Sequence, residues 1–117
     1  MSLRDESWDP ELIKIIIMIK KEHNYYVYIL CNKRNGTLYV GVTKGLFNRT
    51  FQHKVKFNKN SFTSKYNINK LVYCERYKYI SSAINREKCI KAWKRKWKLE
   101  LIEKENPTWL DLFSEME

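Results

Sequence analysis

Residues 25–43 read Tyr-Tyr-Val-Tyr-Ile-Leu-Cys-Asn-Lys-Arg-Asn-Gly-Thr-Leu-Tyr-Val-Gly-Val-Thr. Two runs of aromatic and β-branched residues flank Asn35-Gly36, the dipeptide best suited to a type I′ turn because both of its central positions need positive φ. The stretch therefore predicts a β-hairpin. With Asn35-Gly36 as a two-residue turn, Arg34 faces Thr37 and Tyr28 pairs with Thr43. Strand side chains alternate between faces, so Tyr28, Tyr39, Gly41 and Thr43 share one surface while Val27, Ile29, Val40 and Val42 take the other. Gly41 is expected to leave the phenol-bearing surface open to a ligand or another backbone.

Beyond the hairpin, Leu46 to Phe57 suits a helix. Its apolar positions are Phe47, Thr50, Phe51, Val55 and Phe57, and its opposite face holds Arg49, Gln52, His53 and Lys56. Residues 58–69 read as a loop and Leu71-Val72-Tyr73-Cys74 as a third strand beside the hairpin. Ser81 or Ser82 caps a long helix over about residues 82–104, which Asn106-Pro107 stops. Asn106 as N-cap with Pro107 in the first turn opens a last short helix through Trp109, Leu110 and Phe113. The fold class that follows is α/β, a small three-stranded antiparallel sheet flanked by helices. One domain over residues 24–117 is expected, preceded by an extension, residues 1–23, that forms a short helix. The Ile15 to Ile19 run in that extension is too short to span a bilayer. It reads either as a helix packed on the domain or as the surroundings of an alternative start at Met18.

With 44% hydrophobic and 15% aromatic residues in a chain of 117, a folded core is expected rather than a disordered tail. The net charge of +10 is uneven: residues 33–98 carry eighteen basic and two acidic side chains. Such a block repels itself, and a polyanion that releases counterions on binding is the usual compensation. Nucleic acid is the leading partner, with an ordinary solvated basic surface as the alternative. Cys31, Cys74 and Cys89 are odd in number, widely spaced and without any C-x-x-C pair, so neither a disulfide framework nor a zinc knuckle is suggested, and a reducing, cytoplasmic setting fits.

Three clusters can carry chemistry. Tyr28 and Tyr39 share a sheet surface. Arg49 and His53 are i,i+4 neighbours on a helix, where an arginine fork matches phosphate oxygens. Glu87 is one of the two carboxylates in the basic block and falls on a largely apolar helical stripe, so it needs a partner. That partner is either Arg86 or Lys91, or a divalent cation, since Mg²⁺ takes one or two carboxylates and fills its other sites with water and phosphate. Such scarcity of acids argues against a two-metal site. Trp93 and Trp97 read as core residues or, less simply, as a base-stacking surface. Lys65, Lys94, Arg95, Lys96 and Lys98 are candidate backbone contacts to nucleic acid, which position a duplex without reading its sequence.

Taken together, Tyr26-Val27-Tyr28, Tyr39-Val40-Gly41, Arg49, His53 and Glu87 resemble the GIY-YIG nuclease superfamily over roughly residues 24–114. The likeness is to its small single-domain bacterial branch, related to the amino-terminal nuclease domain of the excinuclease. The segments 62–67, 86–88 and 106–109 also resemble that branch. Tyr26 stands where the first motif has glycine, and Val27 and Val40 stand where the motifs have isoleucine. The resemblance implies a metal-dependent DNA endonuclease acting in DNA repair or processing. Tyr28 and Tyr39 fall at the motif tyrosines, Arg49 at the catalytic arginine, His53 at a histidine or tyrosine position, and Glu87 at the ligand for Mg²⁺ or Mn²⁺. No catalytic role falls to Asn106. Water is the expected nucleophile, with Tyr28 accepting or relaying its proton helped by Tyr39 or His53, on condition that Arg49 and the metal lower the phenol's pKa. The alternatives are an inactive nucleic-acid binder of the same fold and a nuclease targeted by a protein partner.

Overall fold

The computed structural model describes residues 24–116, and the expected helix over residues 1–23 lies outside that range. The predicted hairpin forms β1 (Tyr25–Cys31) and β2 (Leu38–Thr43). Its register differs by two residues from the expected one: Tyr28 faces Gly41 and Tyr26 faces Thr43. The cause is local. Asn32 Oδ1 accepts the Thr37 N–H at 2.9 Å and the Gly36 N–H reaches the Lys33 carbonyl at 2.9 Å, so the turn spans Lys33–Gly36 inside a longer loop. Only Asn35 has positive φ there, which excludes type I′. A shift of two preserves side-chain parity, so the partition of faces stands.

β3 (Lys70–Tyr77) pairs antiparallel with β1, giving the order β2-β1-β3 with β1 central. A bulge lies between the pairs Ile29/Tyr73 and Leu30/Leu71. It sends Val72 and Tyr73 together to one side, where both join the core beneath Val27, Ile29 and Val40.

Helices cover both faces. On the tyrosine face, α1 (Leu46–Lys54) delivers Leu46 to a core of Tyr28, Leu30, Ile68 and Leu71. The segment expected to be all loop contains a one-turn helix, α2 (Phe62–Lys65), whose amino end Ser61 caps by accepting from Ser64 N. The apolar stripe foreseen for α1 is not its buried face. Leu46 and Thr50 are buried, whereas Phe47, Phe51, Val55 and Phe57 are exposed. Phe47 stacks on Phe113 at 4.9 Å between centroids, and Lys54 ties the carboxyl end of α1 to Asp111 at 2.5 Å and to the Asn69 carbonyl at 3.0 Å.

On the opposite face, the long helix expected at 82–104 is two helices, α3 (Ile80–Ala92) and α4 (Arg95–Glu105), separated by extended backbone at Trp93 and Lys94. In one continuous helix Ile90 and Ile102 would stand about 120° apart around the axis. The break turns the second segment so that both reach the same core, with Trp93 packed against it. The bend is held by Arg86 over the Trp93 ring at 5.0 Å and by Trp93 edge-on to Trp97. Arg86 also grips Glu75 with Nε at 3.0 Å and a terminal nitrogen at 2.9 Å, and Tyr73 and Tyr77 donate their hydroxyls to the same carboxylate.

The last helix does not start at Pro107. Asn106 is buried, its amide donating to the Val72 and Leu110 carbonyls and accepting from Leu110 N, so it closes α4 and fastens the following turn instead of N-capping a last helix. Trp109 adopts φ 57°, and a 3₁₀ segment follows at Leu112–Met116. No helix among the described residues is long and apolar enough to cross a membrane.

Candidate active site

Three side chains meet on the tyrosine face of the hairpin. Ring centroids of Tyr28 and Tyr39 are 6.2 Å apart, Tyr28 and His53 6.1 Å, and Tyr39 and His53 5.7 Å, so the rings form a near-equilateral triangle. Tyr28 is fully buried. Its ring lies across β2 above Gly41, where a Cβ would fall 2.5 Å from the hydroxyl and 2.6 Å from Cζ. The space expected to stay open over Gly41 is therefore filled by Tyr28 itself. Glycine is needed because a neighbouring phenol lies on the backbone, with no unusual φ involved.

The α1 helix brings His53 to this triangle. His53 Nε2 is 3.4 Å from the Tyr28 hydroxyl, and Nδ1 is 2.9 Å from Thr63 Oγ1. Arg49, one turn earlier and exposed, borders a cleft of about 190 Å³ that it shares with Gln52, His53, Phe57, Ser61 and Thr63. A larger groove of about 720 Å³ along α4 is an open helix surface away from these groups, so the smaller cleft is the one adjoining the ring triangle.

Arg49 alone does not lower the Tyr28 phenol. Burial, reinforced by neighbouring Tyr39, pushes the Tyr28 phenol well above its ordinary value of 10, against the opposing pull of Arg49. Tyr28 in the free protein is a neutral hydroxyl at pH 7, not a phenol poised to ionise. Burial and the Arg49 charge lower His53 below its usual 6.5, which keeps the imidazole neutral at the same pH.

Glu87 is not part of the triangle. It sits on α3, whose Ala83 and Ile90 pack into the core of the opposite face. Its side chain is 15% exposed, with an oxygen 3.4 Å from Lys91 Nζ. This is one of the ion pairs its sequence position suggested. Among the described residues no three of His, Cys, Asp and Glu gather into a ligand set. A lone, largely buried carboxylate with one long contact to a half-exposed lysine still fits a hard divalent ion that takes a single protein ligand and keeps its water.

The candidate backbone contacts divide. Lys65, Lys94 and Lys96 are exposed. Lys98 is half-buried and donates to the Lys91 carbonyl at 3.3 Å. Arg95 donates to the carbonyls of Asn35 and Gly36, each at 2.6 Å, and so staples the hairpin loop to α4. Sequence reading gave Thr63 no role, although it is the nearest partner of the site histidine. The available signal was its place in the segment 62–67 that resembles the family branch, which carries no periodicity pointing at His53.

Comparison with known proteins adds one match. No curated protein and no solved structure matches the chain, whereas the family model described as the GIY-YIG catalytic domain matches residues 24–100. That interval contains the hairpin, both tyrosines, the helix of Arg49 and His53, and Glu87. The chain belongs to the GIY-YIG catalytic domain family.

Proposed function

We propose that this protein is a metal-dependent DNA endonuclease in which Tyr28, Tyr39, Arg49, His53 and Glu87 work on one phosphodiester. The observation that carries the reading is the convergence of a phenol, an imidazole and a guanidinium beside a cleft, in a chain whose family is one of nucleases. Its basic block supplies a polyanion-binding surface, with Lys65, Lys94, Lys96 and Lys98 as phosphate contacts. Repair or processing of DNA is the setting that the likeness to the excinuclease branch supports.

Arg49, permanently charged and exposed at the cleft, binds a non-bridging phosphate oxygen and stabilises the charge that grows there. Tyr28 acts as a relay. Because its burial opposes ionisation, it accepts the proton of the attacking water only as it passes its own to His53 Nε2. The 3.4 Å separation is long for a hydrogen bond, as catalytic contacts commonly are before substrate binds. The water oxygen bonds to phosphorus, the P–O3′ bond breaks, and the departing oxygen is protonated from solvent. Tyr39 packs against both partners and holds the phenol in place. Mg²⁺ or Mn²⁺ on Glu87 would supply Lewis-acid neutralisation of the phosphate.

The test is Glu87→Ala. Cleavage of labelled plasmid, branched and single-stranded DNA in Mg²⁺ or Mn²⁺ should fall by about 10²-fold or more, the scale of losing one charge-stabilising group. Mn²⁺ binding, read by calorimetry or paramagnetic relaxation without any substrate, should be lost together with it. DNA binding should keep its steep salt dependence. Salt-sensitive binding with no cleavage of any substrate by the unaltered protein would establish the inactive binder instead.

A further inference from the structure

Around the site histidine, hydrogen bonds run in a line through side chains that have one proton each. The Ser64 hydroxyl donates to the Asn58 carbonyl at 2.7 Å, and a carbonyl can only accept. Ser64 Oγ has thereby used its proton, so the 3.1 Å contact with Ser61 must be donated by Ser61. Ser61 Oγ in turn has none left for Thr63 at 3.2 Å and accepts there, as it also does from Ser64 N at 3.2 Å. Thr63 is then the donor to Ser61, and its oxygen must accept from His53 Nδ1 at 2.9 Å. Each hydroxyl donates one bond and accepts within its two lone pairs. Thr63 and Ser64 are at most 6% exposed, so water has little access to compete for these groups.

We infer that the Thr63–Ser61–Ser64 hydroxyl chain, anchored on the Asn58 carbonyl, fixes His53 as the Nδ1–H tautomer and so keeps the Nε2 lone pair aimed at Tyr28. This rests on the proposed nuclease reading only for its consequence, not for the tautomer. Neutral imidazole in water favours the opposite tautomer, with its proton on Nε2. In that form Nε2 would present a proton to the Tyr28 hydroxyl and could not take one. The chain therefore gives the relay a direction: water to Tyr28, Tyr28 to Nε2, with the Nδ1 proton held throughout by Thr63. Thr63, Ser61 and Ser64 are positioning residues in this scheme, since they act through His53, which Thr63 touches. The low pKa of His53 agrees with this, since a neutral ring is what has a tautomer to fix.

The experiment is ¹⁵N NMR of the His53 imidazole near pH 7.5 in the whole protein, assigned against His23 by His53→Gln. Unaltered protein should give a protonated, pyrrole-like Nδ1 and a pyridine-like Nε2. Thr63→Val keeps the shape and removes the hydroxyl, and should move the pattern toward Nε2–H. Thr63→Ser should restore it. In parallel, kcat for DNA cleavage should fall about 10- to 100-fold in Thr63→Val, the usual scale for losing a group that orients a functional histidine, with KM within about twofold. Should Thr63→Val fail to fold, Ser61→Ala serves. It frees Thr63 to donate to Nδ1, so it should give a mixed tautomer.

An Nε2–H pattern in unaltered protein overturns the inference, and so does an Nδ1–H pattern that survives Thr63→Val. Absence of cleavage with the expected tautomer would refute the nuclease reading and leave the hydrogen-bond assignment standing.

Discussion

Gly41→Ala is the sharpest perturbation of this site, because its sign alone is informative. In a strand, glycine ordinarily costs about 0.5–1 kcal/mol relative to alanine, and Gly41 has no positive φ to protect, so backbone considerations alone predict a gain in stability. The neighbouring ring predicts a loss. The new Cβ would lie 2.5, 2.6 and 2.9 Å from Oη, Cζ and Cε1 of Tyr28, and relieving these contacts requires the ring to retreat by about 1 Å. A fully buried tyrosine has nowhere to go without disturbing its neighbours. Overpacking of this kind costs about 1–3 kcal/mol, on the order of 1 M in urea midpoint for a domain of this size. Displacement of a reacting group by about 1 Å lowers turnover by about 10²-fold.

Urea unfolding of a mutant cycle isolates the cause. In a Tyr28→Ala background Gly41→Ala should cost less than about 0.5 kcal/mol, because the colliding ring is gone. In Tyr28→Phe it should remain costly, since Cζ is still 2.6 Å away. A neutral or stabilising Gly41→Ala, or a loss that persists with Tyr28→Ala, refutes the packing argument whatever the enzyme's activity proves to be.

Two further outcomes concern the core. Burial would raise the Glu75 carboxyl, but hydrogen bonds from Arg86, Tyr73 and Tyr77 and the Arg86 charge outweigh it and hold the group below its usual 4.5. A carboxylate depressed on folding stabilises above its unfolded pKa, and that stability is lost as pH falls through the folded value. Urea midpoints followed from pH 7 to pH 3 should therefore drop, and Glu75→Gln should be less stable at pH 7 with a flatter acid slope; an unchanged slope would remove Glu75 as its source. Thr50 Oγ1 is buried without a hydrogen-bond partner among the described residues. Thr50→Val should raise stability by about 1 kcal/mol in the same assay, and a loss would mean that the hydroxyl is satisfied after all.

The hairpin was legible because alternation depends on parity alone, so Tyr28, Tyr39 and Gly41 fall on one face even with the register two residues out. The register itself was not legible: it depends on Asn32 choosing the Thr37 N–H, a side-chain bond that competes with the Asn-Gly turn. Likewise, the break at Trp93-Lys94 carries no glycine or proline. It arises from Ile90 and Ile102 needing the same core, which no single-helix periodicity can express. Arg49 and His53 were readable as an i,i+4 pair, but the exposure of Phe47 and Phe51 was not, since a helix is oriented by what it meets. Thr63 eluded the reading for a related reason. Its importance lies in one hydrogen bond to a residue ten positions away.

The bond between Lys54 and Asp111 and the stack of Phe47 on Phe113 have a consequence for synthesis. The helix that presents Arg49 and His53 is closed at its foot by partners more than fifty positions downstream. A chain emerging in order from the ribosome exposes its arginine and histidine long before the residues that clamp their helix have been made. Through that interval the basic, aromatic surface of α1 lacks its final brace, and the clamp can close only once residues 111–113 have been made.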